Sequence, residues 1–136
     1  MSRLLGIDYG LKRVGLAVSD PLQIIATPLT TVAPEELISF LKDYLSKENV
    51  VTFVIGFPYT EDGSVQAMQQ EVKMIKNKLF QFFPSIPSYF EDERYTSRMA
   101  QKTRHQMGVK KSKKKDKKEL DAMSAAILLQ SFMDAR

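Results

Sequence analysis

Asp8 stands in an otherwise apolar stretch, LLGIDYG at residues 4–10. If that stretch is extended, Leu5, Ile7 and Tyr9 share one face, while Leu4, Gly6, Asp8 and Gly10 share the other. A carboxylate between two glycines has room for a ligand or for another backbone to approach, although an acid beside a turn is equally ordinary. A second carboxylate, Asp121, falls on a C-terminal helix. At about 100° per residue it aligns with Ala125, Leu128 and Phe132 and lies opposite Glu119, Gln130 and Asp134. An inward carboxylate is costly unless it is paired or bound to a cation, and Glu119 already offers the outer face of the helix an acid for its dipole. The third group is the run Glu91, Asp92, Glu93, next to Arg94, at the C-terminal end of a strand, where open α/β sheets place their sites. Alternation leaves open which of these acids points inward. Each acid alone could be a surface charge. Together they could converge as oxygen ligands for two divalent cations, an arrangement that aligns a water and stabilises the leaving oxygen in phosphodiester hydrolysis.

Composition narrows the alternatives. The chain has no cysteine and one histidine, His105, which removes thiolate chemistry and sulfur-bound zinc and leaves a hard cation on oxygen as the expected metal. The net charge of +4 is uneven: residues 110–118, KKSKKKDKK, hold seven lysines and one aspartate. Such a run is either a solvated segment or a contact for nucleic-acid phosphates. No apolar run approaches the roughly 20 residues of a membrane helix, and a signal-peptide pattern is absent, so the expectation is a cytoplasmic protein with no membrane partner.

The elements that must position these acids follow from pattern. Residues 4–10 and 14–19 read as a hairpin turning at residues 10–13, and residues 23–32 as a third strand. Pro34, Glu35 and Glu36 suit the first turn of a helix whose buried face carries Leu37, Leu41, Tyr44 and Leu45. Residues 50–57, VVTFVIGF, read as a central strand covered on both faces. Val65, Met68, Val72, Ile75, Leu79 and Phe82 then recur at helical spacing. A short strand at 88–92 leads into the acidic run. Thr96 or Ser97 caps a helix that stops at Gly108, residues 109–118 form a lysine-rich loop, and 119–134 is the last helix. With no repeats and this length, residues 1–136 are expected to form a single domain.

The ordered motifs resemble those of the YqgF family, also known as RuvX-like Holliday-junction resolvases or pre-16S rRNA nucleases. They are Gly6-Ile7-Asp8-Tyr9-Gly10 with Lys12 to Gly15; Ser19-Asp20; Ala26, Pro28, Leu29 and Thr31; Gly56-Phe57-Pro58 and Gly63; Asp92-Glu93-Arg94-Tyr95-Thr96-Ser97 with Ala100; and Asp121-Ala122 with Ala125 to Leu128. The resemblance implies an α/β, RNase H-like fold: a five-stranded mixed sheet, three antiparallel strands then two parallel ones, with helices on both faces. It implies a catalytic and metal-binding triad at Asp8, Glu93 and Asp121, with Asp92 as the alternative to Glu93, holding Mg²⁺ or Mn²⁺ as two ions. Nucleic acid would be bound by Lys12, Arg13, Arg94, Lys110, Lys111, Lys113, Lys114 and Lys115. The implied activity is a metal-dependent nuclease, a monomer or homodimer that processes the 5′ end of pre-16S rRNA. Holliday-junction cleavage and a non-catalytic RNA-binding assembly role are the alternatives. Where related resolvases carry a fourth acid one turn after the helix aspartate, this chain has Ser124, which favours RNA.

Overall fold

The computed structural model describes residues 2–59, 66–93 and 115–136, with the side chains of 115 and 116 excepted. Strands β1 (Arg3–Tyr9), β2 (Val14–Ser19) and β3 (Ala26–Val32) form an antiparallel meander; a 3₁₀ turn (Pro34–Glu36) then leads into α1 (Leu37–Lys47). Strand β4 (Val50–Phe57), helix α2 (Gln66–Phe82) and strand β5 (Ser88–Asp92) follow, and α3 (Lys115–Asp134) is the last helix described. The sheet order is β3-β2-β1-β4-β5, with β4 parallel to β1 and β5 parallel to β4. This is the expected mixed sheet, and helices cover both of its faces.

The two faces are built differently. On one, Leu5, Ile7, Leu16, Phe53 and Ile55 pack against Leu37 and Leu41 of α1 and Val72, Ile75 and Leu79 of α2. On the other, Leu4, Ala17 and Val54 meet Ala125, Ala126, Leu129 and Met133 of α3. Small residues predominate there because the helix backbone lies almost on the strands. A Cβ at Gly15 would overlap the backbone carbonyl of Asp121.

Several sequence expectations are corrected. Helix α3 begins at Lys115, so residues 115–118 of the expected lysine loop are helical. Lysine is a good helix former, and its mutual repulsion does not outweigh propensity here. Strand β3 begins at Ala26 instead of residue 23. The Asp20 carboxylate accepts from the backbone N–H groups of Leu22, Ile24 and Ile25 at 3.1, 2.8 and 2.7 Å, folding residues 20–25 into a closed loop and leaving Ile24 and Ile25 exposed. Residues 34–36 form a 3₁₀ turn, and α1 proper starts at Leu37. Phe82 lies outside the core, under the Lys42 ammonium at 4.7 Å, and Phe83 packs edge-on against Phe53 in its place. The expected helix ending at Gly108 lies outside the described residues. Among the described residues no helix is long and apolar enough to cross a membrane.

Candidate active site

The α3 face of the sheet carries the acids, and strand parity explains which ones. Asp8 pairs across β1 and β2 with Gly15, while Ile7 pairs with Ile55, which brings Gly56 of β4 alongside on the other flank. Asp8 is therefore set between two residues with no side chain. The glycines that flank it in sequence serve other purposes. The space beside Gly6 is filled by the Ala125 carbonyl and Leu129, and Gly10 closes the β1–β2 turn by donating its N–H to the Arg13 carbonyl at 3.0 Å. The lateral neighbours, Gly15 and Gly56, make the room.

On β5, Tyr89 stacks against Phe132 of α3, so the odd-numbered residues Tyr89, Glu91 and Glu93 belong to the α3 face and Asp92 to the other. The backbone N–H of Glu93 donates to the Phe57 carbonyl at 3.3 Å, which continues the β4–β5 pairing one residue past the strand and fixes the turn of its side chain. A Cβ on Gly56 would stand 2.5 Å from Oε2 of Glu93, so the carboxyl occupies the space that the glycine leaves. The structure sets Glu93 against Asp8: the Glu93 carboxyl is hydrogen-bonded to Asp8, and the Asp92 charge adds to the perturbation of Glu93.

Both carboxyls are strongly perturbed. Burial pushes Asp8 up to about 6, against the lowering effect of its hydrogen bond from Glu93, with the Asp121 charge adding to the rise. Burial pushes Glu93 up to about 8, reinforced by the Asp8 charge and by its own role as the proton donor. The pair shares one proton near neutral pH, because two neighbouring carboxylates withdrawn from water cannot both ionise without a cation.

Asp121 completes the group from above. It lies on the inward side of α3, one turn before the buried Ala125, as its helical phase predicts. Its Oδ2 accepts from Nε of Arg13 at 2.5 Å. Arg13, expected as a phosphate contact or a structural partner, is here an internal partner. With this ion pair in place, no set of three metal-capable side chains stands at ligand spacing among the described residues. The structure brings Asp8 and Glu93 into contact and Asp121 within electrostatic reach of Asp8. The donor set fits a hard divalent cation: all oxygen, anionic, and short of positive charge to the point of retaining a proton.

Of the expected nucleic-acid contacts, Lys12 is exposed on the β1–β2 turn beside Arg13. Arg94, Lys110, Lys111, Lys113 and Lys114, and the side chain of Lys115, lie outside the described residues. Two lysines from the end of the 110–118 run, not singled out from it by the sequence, join Lys12 as candidates. Lys117 and Lys118, both exposed, occupy the turn of α3 just before Asp121, where Thr31 of β3 ties the helix down by donating to the Lys118 carbonyl at 2.7 Å. Their spacing of four and three residues before Asp121 was the available signal, hidden by placing the helix start at 119. Ser124 is buried.

Comparison with known proteins agrees with this fold. The chain is 48% identical over 134 residues to a Porphyromonas gingivalis protein named "Putative pre-16S rRNA nuclease", covering 98% of this chain and 97% of that one. It is 45% identical to a protein of the same name from Amoebophilus asiaticus, covering 99% and 96% of the two chains. In fold it is similar to Thermus thermophilus RuvC in complex with a Holliday junction substrate, with a TM-score of 0.58 at 16% identity over 100% of this chain and 96% of that one. The Fowlpox virus resolvase in complex with Holliday junction DNA has a TM-score of 0.58 at 14% identity, covering 98% and 97%. Residues 2–135 match the family described as RuvX, Holliday junction resolvase, and the chain belongs to that family.

Proposed function

We propose that the protein is a divalent-metal-dependent nuclease that hydrolyses phosphodiester bonds in structured nucleic acid, with precursor 16S rRNA as its substrate. One observation carries this reading: the carboxyls of Asp8 on β1 and of Glu93 just past β5 are withdrawn from water and hydrogen-bonded to each other, with Asp121 nearby, at one end of the sheet. No structural need explains two withdrawn acids held in contact, whereas a site built to take up positive charge does. The curated relatives' names support an RNA substrate.

Asp8, Glu93 and Asp121 would hold Mg²⁺ or Mn²⁺. Such ions supply a nucleophilic water and stabilise the leaving oxygen. To hold such a cation Glu93 would have to release its proton to solvent, since a metal ligand must be deprotonated. Gly56 leaves the space that the Glu93 carboxyl takes beside Asp8, and Gly15 lets the α3 backbone at Asp121 come close. Lys12, Lys117 and Lys118 lead phosphates toward the acids. Lysines in the first turn of a helix oppose its dipole, an unfavourable placement that an anionic ligand would relieve.

The test is cleavage of precursor 16S rRNA by the purified chain with Mg²⁺ or Mn²⁺. Asp8→Asn should lower the rate about 10³-fold or more while nucleic-acid binding persists, since metal assistance is worth several kcal/mol of barrier. The family description favours a second reading, cleavage of four-way DNA junctions, so a branched DNA belongs in the same assay. Activity on neither substrate would leave a non-catalytic RNA-binding role.

A further inference from the structure

Arg13 and Asp121 form an ion pair across 108 residues of sequence, with side chains 34% and 27% exposed. The Arg13 guanidinium occupies Oδ2 of Asp121 and sets a positive charge where a cation would approach, so the two compete for that carboxylate. While the pair stands, the three acids are not gathered at ligand spacing, although Asp121 is close enough for its charge to bear on Asp8. Arg13 is anchored by its backbone in the β1–β2 turn. Its long side chain can leave Asp121 without any movement of that turn, and a guanidinium is well matched to phosphate oxygens.

We propose that Arg13 is the resident counter-cation of the metal-free site, holding Asp121 until a divalent cation displaces it and then turning to the phosphodiester. This rests on the nuclease reading above and adds an order to it: Asp121 becomes a ligand only when the ion pair breaks. Arginine contact with the phosphate is thereby coupled to metal loading. The opposing role, in which Arg13 stays on Asp121 and orients it as a ligand, predicts the opposite sign for the experiment below.

The experiment measures Mn²⁺ binding by calorimetry and by electron paramagnetic resonance, in the absence of nucleic acid, for wild type and Arg13→Gln. Removing a positive charge that competes for Asp121 should tighten Mn²⁺ about five- to tenfold in this partly solvated site. Equal or weaker Mn²⁺ binding by Arg13→Gln, with wild type binding normally, overturns the inference and leaves the nuclease reading standing. Failure of wild type itself to bind Mn²⁺ brings down both. A second measurement avoids mutation. In a Mg²⁺ titration of the ¹⁵N-labelled wild type, the Arg13 Nε–H resonance should shift and exchange faster as the pair opens. A resonance unmoved at saturating Mg²⁺ also overturns the inference.

Discussion

The two faces of the sheet are made from the same five strands and do different work. The face toward α1 and α2 is filled with large aliphatic and aromatic side chains: Leu5, Ile7, Leu16, Phe53, Ile55, Leu41 and Leu79 are almost wholly buried. The face toward α3 is floored by Gly15, Ala17, Val54 and Gly56 and roofed by Ala122, Ala125 and Ala126, and it carries the Asp8–Glu93 contact with Asp121 within electrostatic reach of Asp8. Large side chains remove more apolar surface from water and keep two layers about 10 Å apart. Small ones allow a helix backbone to approach, and that approach lets an acid on a helix reach an acid on a strand. Stability is concentrated on one face and the proposed chemistry on the other.

If that division is right, single substitutions should separate the two properties. The largest contrast is expected between Gly56→Ala and Leu41→Ala. The added methyl of Gly56→Ala displaces the far end of the Glu93 side chain, so stability should change little. Cleavage should nonetheless fall about 10²-fold, because misplacing a reacting group by about 1 Å costs that much. Leu41→Ala should cost about 2–5 kcal/mol in urea unfolding, with the cleavage rate per folded molecule preserved. Equal losses of activity and stability in both variants would collapse the distinction between the faces.

A smaller effect follows from the shared proton. Asp8 and Glu93 have folded pKa values near 6 and 8, above their ordinary carboxylate values, so the folded protein binds more protons than the unfolded chain. Their protonation therefore favours the native state at low pH, and this contribution is lost as pH rises from about 4 through 8. The metal-free protein should have a lower Tm at pH 8.5 than at pH 5.5. The decline should flatten in Glu93→Gln and be reversed by Mg²⁺. A Tm that rises across this range would contradict the buried carboxyl pair.

The smallest expected effect concerns the route to the site. Lys117→Ala with Lys118→Ala should leave Tm within about a degree, as surface substitutions do. RNA affinity should fall several-fold, with a shallower salt dependence: the log–log slope drops by up to about 0.7 for each single-strand phosphate that is no longer neutralised. An unchanged salt slope would mean that these lysines only solvate the end of α3.

Much of this was legible in the amino-acid sequence. Period-two and helical patterns gave the strand and helix order, because burial of one face imposes that periodicity wherever the core lies. The helical phase of Asp121 marked it as inward for the same reason, and the isolation of Asp8 in an apolar strand drew attention to it. The loop at residues 20–25 resembles the start of a strand, since Ile24 and Ile25 look like core residues until three backbone N–H groups turn to the Asp20 carboxylate. Which of the acids 91–93 faces α3 was beyond strand alternation, and only the family resemblance favoured Glu93 over Asp92. Both sit in one acidic run, and only the packing of Tyr89 on Phe132 says which parity faces α3. The Arg13–Asp121 pair was equally hidden, since no local rule links residues 108 apart. The sequence by itself determined which residues are strand, helix and acid, as these depend on neighbours along the chain. The close seating of α3 on Gly15, which puts Asp121 above Asp8, was decided by tertiary structure alone, because it depends on the one backbone that fills the space a missing side chain leaves.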